Sequence, residues 1–182
     1  MGGSGIKQPL LSAFRWLTDR EKDSAVADDT RWWREAELLR DLGPALAELC
    51  ADERPTVVLG AQSRGFLLGP LVAVALGVGF VEVRKEPQQV GDVDRWVRRT
   101  TTPDYLDRHV VLGIRAGLVS SSDRVVFVDD WIDTGAQASA VAGIVGEVGA
   151  SWAGVAVIVD ALVDGRVRRE LGVRALLNHR EL

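Results

Sequence analysis

Residues 124–138 read RVVFVDDWIDTGAQA. Val125–Val128 is a β-rich apolar run, and it ends in two adjacent carboxylates, Asp129 and Asp130. Asp133-Thr134-Gly135-Ala136-Gln137 then opens an Ala/Gly/Val-rich segment of helical character. The expectation is a strand, an acidic tip, and a small-residue turn at a helix N-terminus. Carboxylates at the carboxyl end of a strand accept hydrogen bonds from sugar hydroxyls. Exposed N–H groups at a helix start hold phosphate. Together they describe a pocket for a ribose 5-phosphate, with Thr134–Ala138 on the phosphate and the acid pair on the sugar. The plainer alternative is an ordinary strand–helix loop in which an Asp caps the helix.

Working outward, strand and helix patterns alternate. Thr56–Gly60 reads as a buried strand, Phe66–Leu76 as a helix closed by Gly77, and Phe80–Val83 as the next strand. After the acidic run come a helix over 135–148, a strand over 153–159, a helix over 162–171 and a strand over 173–177. Arg95–Thr101 and His109–Ile114 are expected to pair as an antiparallel flap. Upstream, Asp29 or Thr30 starts a helix with Trp33, Ala36, Leu39, Leu42, Leu46 and Leu49 at helical spacing, which Gly43-Pro44 should kink or interrupt. Residues 6–28 read as loop. The fold class is therefore α/β, a mainly parallel central sheet with helices on both faces. Ligands in such sheets sit at the carboxyl ends of the strands, where Ser63–Gly65 and Asp129–Asp130 both fall.

The chain has 182 residues, 47% of them hydrophobic, which suits one domain with a real core. Met1–Gly5 reads as a linker or tag, 6–28 as a hood, 29–182 as the core, and 95–114 as a flexible flap. A net charge of -4 without a long basic run speaks against nucleic acid. The apolar stretch near 66–83 is broken by glycines and a proline, so no membrane span is expected. Cys50 is the single cysteine, in keeping with a reducing, cytoplasmic setting, and two histidines with no Cys/His cluster speak against zinc. Of the six tryptophans, most should be core and some should line a pocket or a dimer face.

The 124–138 run resembles the 5-phosphoribosyl diphosphate (PRPP) motif of type I phosphoribosyltransferases. The stretch from 57 to 85, VVLGAQSRGFLLGPLVAVALGVGFVEVRK, is similar to the corresponding stretch of the adenine phosphoribosyltransferases, with Ser63-Arg64-Gly65-Phe66 and the terminal Arg84-Lys85 in place. The resemblance implies that the loop Ala61–Arg64 binds diphosphate through backbone amides, often across a cis non-proline peptide. Ser63, Arg64 and Lys85 would be its contacts. Independently, a departing diphosphate needs positive charge and N–H donors. In Thr100–Arg108 the pair Asp104-Tyr105 stands where the family commonly has Glu-Tyr on a mobile flap. Ala13-Phe14-Arg15 resembles the family's Phe-Arg hood, where the aromatic stacks on the base; Trp131 is a further base-side candidate.

Departures from the pattern point to a divergent member. Gln62 replaces an acid, Glu86-Pro87-Gln88-Gln89 replaces a Gly/Pro-rich run, Ala136 adds a methyl, and Gln137 replaces a phosphate-binding hydroxyl. Asp133 resembles the acid of the hypoxanthine–guanine branch. The resemblance implies transfer of 5-phosphoribosyl from PRPP to a purine-like base. Asp133, with Asp104 as rival, would manage the proton, and Asp104, Tyr105, Arg64 and Asp133 form the catalytic set. Mg²⁺ would ride on PRPP and on waters near Asp129 and Asp130, without direct protein ligands. A homodimer is expected. Two alternatives stand: a PRPP- or nucleotide-sensing regulator without turnover, and phosphoribosyl transfer to a non-purine acceptor in a biosynthetic pathway.

Overall fold

The computed structural model describes residues 4–19, 24–91, 93–102 and 109–182. The N-terminal part is ordered differently from a loop. Helix α1 (Ser4–Ala13) begins inside the glycine-rich start and buries Ile6, Leu10 and Ala13. That spacing of four and three residues is helical; Pro9 within it obscures the pattern. Strands β1 (Arg15–Asp19) and β2 (Ser24–Asp28) then pair as an antiparallel ribbon.

The next helical stretch divides elsewhere than expected. Helix α2 (Thr30–Arg34) ends at the extended residue Glu35, and α3 (Ala36–Cys50) runs straight through Gly43 and Pro44. Pro44 lies on the exposed side, where its ring meets solvent. Gly43 is a packing residue instead. A Cβ there would stand 2.7 Å from the Leu71 carbonyl oxygen, so its absence allows α3 to lie against the following helix. The buried face of α3 is Leu38, Leu42, Leu46, Ala47 and Cys50. Burial pushes the Cys50 thiol up to about 11, which makes it a core group rather than a nucleophile.

From there the alternation is as read. Strand β3 (Val57–Ala61), helix α4 (Gly65–Leu76) and β4 (Gly79–Lys85) come first. Strands β5 (Trp96–Thr100) and β6 (Val111–Arg115) follow. The chain continues through β7 (Arg124–Ile132), α5 (Ala136–Glu147), β8 (Ser151–Asp160), α6 (Gly165–Leu171) and β9 (Val173–Asn178). The sheet order is β5-β6-β4-β3-β7-β8-β9. Strands β4, β3, β7, β8 and β9 are parallel neighbours, and β6 and β5 extend the β4 edge antiparallel.

Alternation along the central strands divides the core in two. Val58, Val126 and Val128 pack with α1, α3 and α4. Val57, Leu59, Val125 and Phe127 pack with Val141, Ile144 and Val145 of α5. Each such fully buried aliphatic side chain contributes about 1.5–3 kcal/mol. The chain leaves β3 through α4 toward β4 and leaves β7 through α5 toward β8. The order reverses between β3 and β7, and a crevice opens at their carboxyl ends.

Candidate active site

Strand β7 is longer than its apolar run. Its ladder with β8 continues through Asp129 opposite Val157 to Ile132 opposite Asp160, so the acid pair lies inside the strand rather than beyond it. The two carboxyl groups meet at the end of the strand, within hydrogen-bond reach of one another. Asp129 lines a cleft of about 520 Å³ together with Phe127, Val155 and Val157. Asp130 stands beside it, its Oδ2 3.9 Å from Arg64 Nε.

Both carboxyls are held above their ordinary range. Burial raises Asp129 well above 3.8, and the neighbouring Asp130 charge adds to it; the Asp130 N–H, donating to Asp129 Oδ1 at 3.0 Å, and Lys85 pull the other way. Burial is also the largest influence on Asp130, with Asp29 acting in the same direction and Arg64 against it. Two acids kept together without a full complement of cations await hydroxyl donors or positive charge.

Beyond β7 the chain turns on Gly135, which adopts φ 78°. A Cβ there would lie 2.8 Å from Val167 Cγ1, so both conformation and α6 packing favour glycine. The start of α5 has no side-chain cap. Thr134 Oγ1 accepts from the Ala136 N–H at 3.3 Å, and Asp133 and Thr134 are exposed at the mouth. The first-turn N–H groups of a helix have no partner within it, so those of Gln137 and Ala138 face the cleft. Gln137 Oε1 is buried and has no hydrogen-bond partner among the described residues.

The second loop follows β3, the strand next to β7; the lining of the cleft includes Lys85, to which this loop is tied, but not Ser63 or the rest of 61–64. The Gln62–Ser63 peptide is cis. Gln62 anchors the loop: its N–H donates to Val83 O at 3.1 Å, and its Oε1 accepts from the Lys85 N–H at 3.2 Å. The amide found where the family has an acid therefore tethers Ser63 to β4. Gly60 and Gly65 allow the loop to close tightly, since a Cβ on Gly60 would meet the Gly65 carbonyl oxygen at 2.3 Å. Beyond Lys85, Glu86 takes φ 48°; its N–H donates to Val111 O and its carboxylate accepts from the Val111 N–H, both at 2.8 Å.

The structure thus brings Lys85, Asp129, Trp131, Asp133, Thr134, Gly135, Ala136, Gln137 and Ala138 around one cleft. Arg64 is placed on the far side of the acid pair. Its Nη2 donates to Asp29 at 2.9 Å, and its guanidinium lies 4.8 Å over the Trp33 ring. Ala13 and Phe14 are buried and Arg15 is exposed on β1. Phe14, 8% exposed, packs 5.8 Å from Trp32 and 6.3 Å from Trp131. Asp104 and Tyr105 lie outside the described residues.

Sequence reasoning gave no site role to several residues. Thr101 and His109 line the cleft at the ends of β5 and β6, whose antiparallel pairing was expected although neither residue was placed in the site. Trp16 and His179 extend the aromatic cluster, each ring edge-on to Trp131. His179 sits on a short turn closed by a reciprocal Asn178–Glu181 cap, and Trp16 Nε1 donates to the Leu182 carbonyl at 3.2 Å.

A sequence model of the phosphoribosyl transferase domain matches residues 35–177. The chain belongs to this family. It is 32% identical over 176 residues to an adenine phosphoribosyltransferase of Streptomyces clavuligerus, covering 94% of this chain and 95% of that one. It is 36% identical over 140 residues to the adenine phosphoribosyltransferase of Clostridium perfringens, at 77% and 78% coverage. The crystal structure of adenine phosphoribosyltransferase from Rhodothermus marinus superposes with a TM-score of 0.79 at 28% identity, over 96% of this chain and 99% of that one. The family's fold is thus the α/β architecture described above, with both loops of the crevice in place. Among the described residues no helix is long and apolar enough to cross a membrane.

Proposed function

We propose that the protein transfers the 5-phosphoribosyl group of PRPP to a ring nitrogen of a purine base, adenine being the first candidate. The products are diphosphate and a nucleoside 5′-monophosphate. The observation that carries the reading is the cleft built by β7 and the start of α5, lined by Lys85, Asp129 and the Asp133–Ala138 turn.

The roles follow from position. The N–H groups of Gln137 and Ala138 and the Thr134 hydroxyl receive the 5-phosphate at the positive end of α5. Asp129 takes the ribose hydroxyls. Asp130, 3.9 Å from Arg64, stands beside it as the second carboxyl for the ribose hydroxyls. The amides of the Ser63 loop and the Lys85 ammonium take the diphosphate, where negative charge grows as the C1–O bond breaks. The base nitrogen forms the new bond to C1, and its proton passes to Asp133, an exposed carboxylate at the mouth. Asp104 remains the rival acceptor and Tyr105 its neighbour in the flap. On the base side, Trp131 offers an aromatic face, and Phe14 backs it as part of the hood formed with Ala13 and Arg15.

Mg²⁺ fits this site as a partner of the substrate. Among the described residues no group of three or more His, Cys, Asp or Glu side chains converges on one point, whereas a magnesium ion commonly uses one or two carboxylates plus substrate oxygens and water. Asp129 and Asp130 are the residues that would hold its waters. When bound, the ion supplies charge neutralisation for the diphosphate. A homodimer acting in the cytoplasm completes the reading. Helix α4 is apolar on all sides and leaves Leu67 and Val74 exposed, a surface that suits a second copy.

One observation favours a second reading, a PRPP sensor without turnover. The unpartnered Gln137 carbonyl oxygen sits at the edge of the phosphate turn, where a hydroxyl donor is usual. Calorimetric titration of PRPP with Mg²⁺ tests the site common to both readings. The parent binds, and the Asp129→Asn/Asp130→Asn double variant loses affinity by about a hundredfold or more while its circular dichroism is unchanged. Parent-like binding by the double variant removes the assignment of 124–138.

A further inference from the structure

We infer that His109 is a diphosphate-contacting residue, and that it works beside Lys85 on the leaving-group side of the cleft. The inference rests on the proposed reading of the site as a PRPP pocket. His109 precedes β6 and lines the same cleft as Lys85 and Asp129. Its place is fixed by backbone pairing. Val111, two residues on, exchanges hydrogen bonds with Glu86, the residue after Lys85. The Thr101 N–H donates to Val110 O at 2.9 Å, and Thr101 Oγ1 accepts from the Val110 N–H at 3.1 Å. Thr101 itself is buried. The imidazole is therefore carried on a doubly pinned strand end, not on a free loop.

The ring's chemistry follows from one contact. Nδ1 lies 3.0 Å from the Thr101 carbonyl oxygen. A carbonyl only accepts, so Nδ1 carries the hydrogen and donates. Nε2 is then the ring nitrogen left to meet a ligand. It offers a lone pair when the ring is neutral and a charge-assisted donor when the ring is imidazolium. The charged groups around it are Lys85 and Glu86 at the end of β4, Asp129 on β7 and Asp133 at the cleft mouth. Lys85 stands on the strand adjoining β6, at the end of the cleft away from the α5 turn. In the imidazolium form, with a hydrogen on each nitrogen, Nε2 donates a charge-assisted hydrogen bond to a diphosphate seated there, beside the Lys85 ammonium.

Two substitutions separate the ring's two nitrogens. His109→Asn keeps an amide donor close enough to serve Thr101 and removes Nε2. His109→Gln extends an amide donor toward the position of Nε2. Calorimetry with magnesium diphosphate and, separately, ribose 5-phosphate gives the readout. The Asn variant weakens diphosphate binding about tenfold, as expected for one charge-assisted hydrogen bond. The Gln variant recovers part of that loss, and ribose 5-phosphate affinity stays within about twofold for both. In proton NMR, the chain's two histidines give two Hε1 signals; that of His109 shifts on adding diphosphate and that of His179 does not. Parent-like diphosphate binding by the Asn variant, or equal weakening toward both ligands, overturns the role of His109 alone. A parent protein that binds neither ligand overturns the PRPP reading and this inference with it.

Discussion

The two ends of the cleft are made of different material. The end proposed for sugar and phosphate comes mainly from one continuous piece of chain, Asp129 and the Trp131–Ala138 turn, with Lys85 of β4 beside it. The end proposed for the acceptor has Trp131 of β7 in the cleft lining, and Phe14, Trp16 and His179 pack against that ring. In the first, backbone N–H groups and paired carboxylates set the chemistry, and little freedom in sequence remains. In the second, aromatic rings from separate elements make a wall whose shape depends on packing.

Substitutions can break that division or sharpen it. The largest effect is expected for Asp133→Asn, which removes the proton acceptor at the mouth. Turnover falls by about 10²–10⁴-fold, while PRPP affinity by calorimetry changes little because neither the sugar nor the phosphate is assigned to this carboxylate. An Asp133→Asn enzyme with near-parental turnover, beside an inactive Asp104→Asn enzyme, would move the proton to the flap.

Arg64 ties the acid pair to the N-terminal part of the chain, through Asp130 on one side and Asp29 and Trp33 on the other. Its contact with a partly buried acid is worth on the order of 1.5–3 kcal/mol as a charged hydrogen bond. Arg64→Ala should therefore raise the KM for PRPP and for the base together, each by about tenfold. A change confined to PRPP would show the guanidinium reaching the diphosphate directly and leaving the hood aside.

Trp16→Ala probes the acceptor end alone. Trp16 is edge-on to Phe14, Trp131 and His179 and is still 38% exposed. Losing aromatic contacts of this kind costs about 0.5–1.5 kcal/mol, so the KM for the base rises about two- to tenfold with PRPP affinity unchanged. Equal loss of both would make the cluster a prop for the whole cleft.

The smallest effect is one of stability. The folded protein holds the Asp129 carboxyl above its ordinary value of 3.8, mainly by burial and then by Asp130. Below the ordinary carboxylate range the group is protonated in both states and costs nothing. As pH rises, the unfolded chain ionises first, so ligand-free stability is lost through the raised range. Asp129→Asn should melt higher than the parent at pH 8 and level with it at pH 3. A variant that melts lower at pH 8 would mean that the carboxylate is already paired in the empty site.

What was legible in the sequence follows the same division. The β–α alternation from Val57 to Asn178 was readable because buried parallel strands are short apolar runs with glycine and charge at their ends. The phosphate turn was readable because Gly135 at positive φ and small residues after it leave few alternatives. The hood was not: Pro9 disguises α1, although Ile6, Leu10 and Ala13 keep helical spacing. Gly43-Pro44 looked like a break because its reason lies in another helix, the approach of α3 to Leu71. Arg64 looked like a diphosphate contact, and only the fold shows Asp29 within hydrogen-bond reach of it. The pairing that sets Thr101 beside His109 was readable, but that both line the cleft was not, since it depends on where the β5–β6 pair meets β7 and α5.

The most direct measurement of the central claim is diphosphate release from PRPP and Mg²⁺ across a panel of nucleobases. Release should depend on a purine, be strongest with adenine or a close analogue, and yield the matching nucleoside 5′-monophosphate by mass. Tight PRPP binding with no release for any base would contradict the transferase reading and leave a sensor built on the same cleft.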